Sequence, residues 1–144
     1  MKNKKVMLLF MLILSLNVSA QYAGVTVLNK GIGVNVGAFS NKVSMEIGLV
    51  FPIMALQNPN VYSLRGGYEI DFGDNFNFTP VVGAALLKIR TWTFNDAVIV
   101  YKAIKPIYGV ELGKDAHIGR GFITATFVGK SAYYGLGMKV FFNR

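Results

Sequence analysis

The amino-acid sequence predicts an all-β protein: an eight-stranded antiparallel up-and-down barrel that crosses a membrane and follows a cleaved signal peptide. Three observations predict this fold class. Apolar residues alternate with polar or glycine residues through most of the chain after residue 20, short turn motifs separate the alternating runs, and no later run is long enough for a transmembrane helix. Because lipid offers no water to unpaired backbone groups, a chain that spans a membrane without helices must close its sheet into a barrel.

The first twenty residues have the parts of a signal peptide. Lysines 2, 4 and 5 precede an apolar run over 6–16, and small residues lead to Ala20. The run is too short to cross a bilayer, which takes roughly 20 helical residues. We therefore expect cleavage after Ala20, with residues 1–20 as signal peptide and 21–144 as the barrel domain. An uncleaved anchor is the alternative.

Composition limits the possible function classes. The formal net charge is +8, and the three lysines of the first five residues leave +5 for the rest. The chain has no cysteine, so an exported domain of this length has no disulfide, and its stability must come from backbone pairing and packing. Binding of nucleic acid is disfavoured, because the exported location is wrong and no face combines aromatic with basic residues.

Alternation with a period of two is clearest over residues 43–51. Its apolar members would be scattered around a helix but form one surface of a strand. The segment 132–142 alternates in the same way. The apolar face of the first segment comprises Val43, Met45, Ile47, Leu49 and Phe51, and Ser44, Glu46 and Gly48 lie on the other face.

Turn motifs rich in Asn, Asp, Gly, Lys and Ser divide the chain into strands. Eight strands of this kind make the smallest closed membrane barrel, and short connections suit antiparallel hairpins. The fifth and sixth are long enough to project beyond a membrane, and a bulge near 87–90 would switch their faces. The predicted strands are 22–29, 31–39, 43–51, 61–72, 76–93, 98–113, 118–128 and 132–142.

Alternation alone does not tell which face points inward, since a soluble ligand-binding barrel would enclose its apolar face. Glycine placement favours a membrane barrel. Glycine weakens a strand, and a narrow interior gives a reason for it that a water-exposed surface does not. Aromatic residues also end the apolar faces, as interfacial girdles require. The glycines on the polar faces are Gly33, Gly37, Gly48, Gly67, Gly109, Gly113, Gly135 and Gly137.

The last strand carries the clearest motif. Gly137, Val140 and Phe142 give a glycine followed by spaced apolar and aromatic positions. With this ending the chain resembles the small outer-membrane β-barrel superfamily of Gram-negative bacteria, in the style of porin-like barrels of the Bacteroidota. The resemblance covers the whole segment after residue 20, and in that family the motif acts as an insertion signal. Asn143 and Arg144 depart from the pattern, because many members end on the aromatic residue.

This resemblance implies a location in the outer membrane. It also implies contact with outer-membrane lipid, with periplasmic chaperones and with the barrel-assembly machinery. We expect no cofactor.

In a membrane barrel the polar faces point inward, so charged residues on them should pair. The pair expected first is Glu46 with Arg65, on neighbouring strands. An eight-stranded interior is just wide enough to be filled by side chains, which favours a plugged lumen over a gated pore. The residues expected in this ionic network are Glu46, Arg65, Glu69, Asp71, Glu111, Arg120 and Lys139.

The sequence offers little for catalysis. His117 is the single histidine and lies beside a turn, with Ser131 expected at the opposite end of the barrel. One histidine and no cysteine cannot build a zinc site, so no metal is expected. We expect no enzyme.

Basic residues gather where the outward connections fall if the N-terminus is periplasmic. Lys30, Arg90, Lys102 and Lys130 would then lie at the cell-surface rim, with Lys88 and Lys105 slightly below. Lysine and arginine match the phosphates of lipopolysaccharide. Ordinary surface charge is the alternative explanation.

These features suggest a barrel with a structural or interaction role in the outer membrane, a plugged lumen and a rim that contacts lipopolysaccharide. Three alternatives stay open: a narrow porin-like channel, a subunit of an envelope complex, and a soluble periplasmic barrel that binds a ligand.

Overall fold

The computed structural model describes residues 20–53, 59–92 and 98–142, and for 89–92 and 98–101 the description is limited to the backbone. Residues 1–19 of the predicted signal peptide lie outside this range. The described residues form strands and no helices. The strands are β1 (Ala20–Leu28), β2 (Gly31–Ser40), β3 (Val43–Pro52), β4 (Asn60–Tyr68), β5 (Ile70–Gly73), β6 (Phe76–Trp92), β7 (Val98–Asp115), β8 (Gly119–Val128) and β9 (Ser131–Phe141).

Consecutive strands pair antiparallel, except that β4 pairs with β6 instead of β5, and β1 pairs with β9, so the sheet closes into a barrel. β4 and β5 are two halves of one barrel strand. Both pair with β6 in one continuous register, Gly67 opposite Val81 and Ile70 opposite Phe78, on either side of Glu69. The barrel therefore has eight strands, as predicted.

The predicted strand bounds hold with small differences. The fourth strand, expected over 61–72, is interrupted at Glu69, and the sixth runs on to Asp115. The bulge considered near 87–90 is absent, since β6 and β7 pair without interruption from Phe76–Lys114 to Trp92–Val98. The register instead shifts between Asp71 and Gly73, at the tip of the β5–β6 hairpin.

The pairing registers set the width of the barrel. Following paired residues once around the sheet returns to β1 about ten residues further along, which is the stagger that closure requires. With strands about 4.8 Å apart and a rise of about 3.3 Å per residue, this gives a tilt of roughly 40° and a backbone radius of about 8 Å. Such an interior is only a few side chains across.

Side chains follow the predicted alternation. Outward-facing apolar residues are strongly exposed, among them Val25, Val82 and Leu136 at 53%, 66% and 64%. The inward positions hold the glycines identified in the sequence together with polar, aliphatic and aromatic side chains. The surface of the barrel is therefore apolar and its interior is polar at mid-height, the reverse of a soluble barrel.

The interior has three layers. We call the end of the barrel that contains Ala20 the lower end, and the end at which β1 passes to β2 the upper end. An aromatic layer of Tyr22, Phe39 and Phe141, with Ala20 packed among them, fills the lower part. Charged residues occupy the middle. An apolar layer closes the upper part and comprises Leu28, Val61, Ala85, Ile107, Val128 and Tyr133, with Val50 and Leu87 packed against it.

Two of the hairpin turns need backbone that most residues avoid. Asn41 and Lys42, between β2 and β3, have φ of 46° and 73°. Positive φ at both central positions defines a type I′ turn, whose twist matches that of the flanking strands. The β5–β6 connection likewise has positive φ at Gly73, Asp74 and Asn75.

Gly37 is the inward glycine with the closest approach of an aromatic side chain. It lies opposite Tyr22, and a Cβ at this position would be 2.4 Å from the tyrosine hydroxyl oxygen and 2.6 Å from the carbonyl oxygen of Met45. The tyrosine ring thus occupies space that any other residue at 37 would need.

We predict that Gly37→Ala lowers the free energy of unfolding by about 1–3 kcal/mol, because overpacking displaces Tyr22 from its site. Urea unfolding of the barrel in detergent micelles measures this change. Gly121→Ala is the matched control, since its Cβ would meet nothing within 4 Å. Equal effects of the two substitutions would contradict the proposed clash.

Candidate functional site: interior charges and upper rim

Four charged residues form the mid-level cluster: Glu46, Glu111 and Lys139, which are buried, and Arg65, which is partly buried. The register of β3 and β4 places Glu46 opposite Arg65. The Arg65 Nε donates a hydrogen bond of 2.7 Å to Oε1 of Glu46, and its Nη2 makes a second, shorter contact with the same oxygen. The structure therefore brings together the pair that the sequence suggested first.

Glu111 and Lys139 extend this pair across the lumen. The Arg65 Nη2 lies 3.1 Å from Glu111 Oε1, and Lys139 Nζ lies 2.5 Å from Glu111 Oε2 and 3.4 Å from Glu46 Oε2. Tyr22 completes the set by donating its hydroxyl to Glu46 Oε2 at 2.9 Å. Two carboxylates and two cations balance, so the cluster is neutral, as a buried site with little water requires.

A second, lower cluster is built around Arg120, which is 3% exposed. Its Nη1 lies 2.6 Å from Glu69 and its Nε lies 2.6 Å from Asp115. The guanidinium also lies over the rings of Phe39 and Phe141, at 5.4 and 5.6 Å. This cluster therefore joins the charges to the aromatic layer.

Asp71 and Asp115 depart from the expected interior set. Asp71 is exposed and pairs with Lys42 at 3.2 Å, because the β5–β6 hairpin extends below the first residues of β3. Asp115, in contrast, joins Arg120. The predicted strands 98–113 and 118–128 leave Asp115 in the connection between them, but it has the same odd-numbered parity in β7 as Glu111 and Gly113, and that parity was the signal for it.

A small chamber separates the mid-level cluster from the upper apolar layer. Its volume is about 60 Å³, and the polar residues Thr26, Ser63 and Thr124 lie in its wall. Buried Asn35, on the inward face of β2, also lies in the wall. A water needs about 10–15 Å³ of such space, so the chamber has room for a few waters.

The four predicted rim residues lie at the upper end. Lys30 follows β1, with its Nζ 5.0 Å from the centre of the Tyr133 ring, and Lys130 is exposed between β8 and β9. Lys102 is exposed opposite Lys88 in the β6–β7 ladder, and Arg90 is described only by its backbone position opposite Val100.

The described acidic residues all lie elsewhere. Glu46 and Glu111 lie at mid-height, Glu69 and Asp115 in the lower cluster, and Asp71 and Asp74 at the lower end. Asp96 lies outside the described residues. Within the described part of the chain, the upper rim therefore carries cations without acidic neighbours.

The motif of the last strand lies where the barrel closes. Gly137 faces inward opposite Thr26, and a Cβ there would be 2.6 Å from the Phe122 ring and 2.7 Å from the Val25 carbonyl oxygen. Val140 pairs with both Ala23 and Gly119. Phe142 is 64% exposed. Asn143 and Arg144 lie outside the described residues.

The residues considered for catalysis lie apart. His117 is exposed at the lower end, and Ser131 begins β9 at the upper end. In residues 20–53, 59–92 and 98–142, no group of three or more potential metal-ligating side chains comes together. Across the same residues, no helix is long and apolar enough to span a membrane.

Neither a protein-family model nor a curated protein matches the chain. Several solved structures do match the chain. The outer-membrane protein Ail of Yersinia pestis, in a phospholipid bilayer nanodisc, has 12% sequence identity and a TM-score of 0.58, with 86% of this chain and 99% of that chain covered. A de novo designed transmembrane β-barrel has 14% identity and a TM-score of 0.60, with coverage of 88% and 98%.

A crystal structure of Ail in complex with the heparin analogue sucrose octasulfate has 12% identity and a TM-score of 0.56, with 86% and 99% covered. Because the TM-scores are above 0.5 and the coverage is nearly complete, this chain has the fold of small membrane-spanning β-barrels.

We predict that Glu46→Gln lowers the free energy of unfolding by about 3–5 kcal/mol, since the mid-level cluster then holds two cations and one carboxylate. Arg65→Gln should have a cost of similar size. The double variant restores neutrality, so it should cost clearly less than the sum. Urea unfolding of all three variants gives the coupling energy.

The matched control is Asp71→Asn, which breaks a half-exposed pair and should cost at most about 1 kcal/mol. Additive effects of the Glu46 and Arg65 substitutions would show that the two charges are independent and would contradict the role of the cluster.

Proposed function

We propose that this chain is a non-enzymatic barrel of the Gram-negative outer membrane, with a structural or interaction role, whose upper rim holds lipopolysaccharide phosphates. One observation carries the proposal: the rim cations have no acidic neighbours among the described residues, whereas the described acids lie at the interior and at the lower end. Unpaired lysines at one end of a membrane barrel are suited to an anionic surface.

The outer-membrane location has independent support. The outward face is apolar around the barrel, the first twenty residues have the features of a signal peptide, and the fold is shared with an outer-membrane protein of Yersinia pestis. Export would then deliver the chain through periplasmic chaperones to the barrel-assembly machinery. The residues proposed as insertion signal are Gly137, Val140 and Phe142.

The rim would recognise phosphate through several cations at once. Lys30, Lys102 and Lys130 are the described side chains of this set, and Arg90 is the fourth proposed member. The heparin analogue bound to Ail is polysulfated. A rim that holds lipid phosphates should also attract such a ligand, which makes sucrose octasulfate a useful competitor.

The lumen is proposed to be plugged. Three layers support this: the aromatic residues at the lower end, the neutral mid-level cluster, and the apolar residues of the upper end. The backbone radius of about 8 Å leaves little space once these side chains are in position. The chamber of about 60 Å³ lies between the mid-level cluster and the upper apolar layer, and residues of both line it.

We predict that Lys30→Gln/Lys130→Gln weakens binding of lipopolysaccharide about 30-fold at low salt, since each surface lysine contributes about 1 kcal/mol toward an anionic surface. Co-sedimentation of the folded barrel in nanodiscs with purified lipopolysaccharide measures this. Sucrose octasulfate and rising salt should both compete. The control is Lys42→Gln/Lys114→Gln at the lower end, and equal losses in both double variants would overturn the rim assignment.

The plugged lumen predicts no stepwise conductance when the purified barrel is inserted into planar lipid bilayers. The variant Arg65→Ala/Lys139→Ala removes both cations from the mid-level cluster. Its conductance should rise only if the aromatic and apolar layers also open. Discrete, cation-selective steps from the unaltered protein would favour the narrow channel instead.

A further inference from the structure

An apolar groove crosses the outside of the barrel and follows the pairing of its strands. Two adjacent rows of outward side chains form it. The lower row runs from Ala23 across Ile47 to Ala84, and the upper row from Val25 across Leu49 to Leu86. Each member lies directly opposite the next in the strand register, so the groove follows the rows and not the strands.

The groove climbs toward the upper end. The stagger of about ten residues per circuit means that a row of paired residues rises steadily from β1 to β7. The upper row ends at Leu86 opposite Ile104, and Ile104 is 76% exposed. Five strand-to-strand steps of about 4.8 Å give a length of about 24 Å. A groove of this length and slope suits an acyl chain within one leaflet.

Two lysines lie immediately above the end of the groove. Lys88 and Lys102 are direct partners in the β6–β7 ladder, two residues beyond Leu86 and two before Ile104, and so on the same outward face. Like charges directly opposite each other destabilise a strand pair. No described acidic residue lies at this end to neutralise them, so this pair is complementary to an external anion.

We propose that this groove binds one phosphate-bearing lipid of the outer leaflet, with an acyl chain along the two rows and its phosphate between Lys88 and Lys102. The inference rests on the proposed outer-membrane function and deepens it, because it gives one lipid a defined binding site. Charge and shape favour a lipid over a protein partner. The apolar groove lies directly below the two lysines, in the same order as the acyl chain and the phosphate of one lipid.

The test uses the complete folded protein in detergent micelles, titrated with phosphatidic acid and observed by native mass spectrometry. Diacylglycerol with the same acyl chains is the comparison, since it lacks only the phosphate. Phosphatidic acid should bind one per barrel, diacylglycerol at least about tenfold more weakly. Inorganic phosphate should not displace the lipid at concentrations near that of the lipid.

Two variants probe the two parts of the lipid-binding site, the lysine pair and the apolar groove. Lys88→Gln/Lys102→Gln should weaken phosphatidic acid binding about 30-fold. Ala84→Phe fills the lower row and should weaken it about tenfold. The controls are Lys114→Gln, which changes a lysine on the same face of β7 at the lower end, and Ala125→Phe, which enlarges an outward alanine of β8 away from the groove. Heat-modifiability on gels verifies that every variant is folded.

Unchanged phosphatidic acid binding in either variant would contradict the proposed lipid site. An equal loss of binding in the matching control would contradict it as well. Displacement by inorganic phosphate would reduce the site to an anion site without the groove. The experiments separate this lipid-binding site from the proposed function. If the Lys30 and Lys130 substitutions still weaken lipopolysaccharide binding, the proposed function stands even when the groove binds no lipid. If they do not weaken it, the proposed function is wrong whatever the groove binds.

Discussion

Closure of the sheet between β1 and β9 is the constraint on which the rest of the structure depends. It pairs the backbone of every strand on both sides, and with eight strands and a stagger of about ten residues it leaves a radius of about 8 Å. Only part of the inward positions can then hold full side chains. Gly37 faces Tyr22 and Gly137 faces the Phe122 ring, so at these positions glycine makes room for an aromatic neighbour.

The same closure determines how the interior charges must be arranged. A carboxylate at mid-height has little access to water, so its desolvation must be offset by a cation and hydrogen bonds. Glu46 meets this requirement through Arg65, Lys139 and the hydroxyl of Tyr22, which belong to three different strands. Glu111 connects to the same cations from a fourth. The cluster therefore ties together strands on opposite sides of the lumen, in addition to the hydrogen-bonded ladder.

Local sequence pattern predicted most of the fold, because side-chain alternation and turn residues are properties of short segments. It also predicted the proximity of Glu46 and Arg65, whose strands are joined along the chain. Contacts across the lumen, such as Arg65 with Glu111, depend on the stagger of the whole barrel, and no short segment encodes that. Asp71 and Asp115 differ from the prediction for a related reason: the length by which a hairpin extends past the neighbouring strands decides whether its end residues lie in the lumen or in solvent.

The location of the excess positive charge follows from where the acidic residues lie. Of the described carboxylates, Glu46, Glu111, Glu69 and Asp115 are paired with Arg65, Arg120 and Lys139 in the interior, and Asp71 with Lys42 below. Those pairs use the acids at mid-height and at the lower end. The excess cations therefore collect above them, on lysines near the ends of three hairpins. A barrel with the same composition but with one lower-end carboxylate placed near Lys30 or Lys102 instead would have the same fold and a less positive rim. The placement of the acids, more than the total charge, is what makes one end of this barrel attractive to anions.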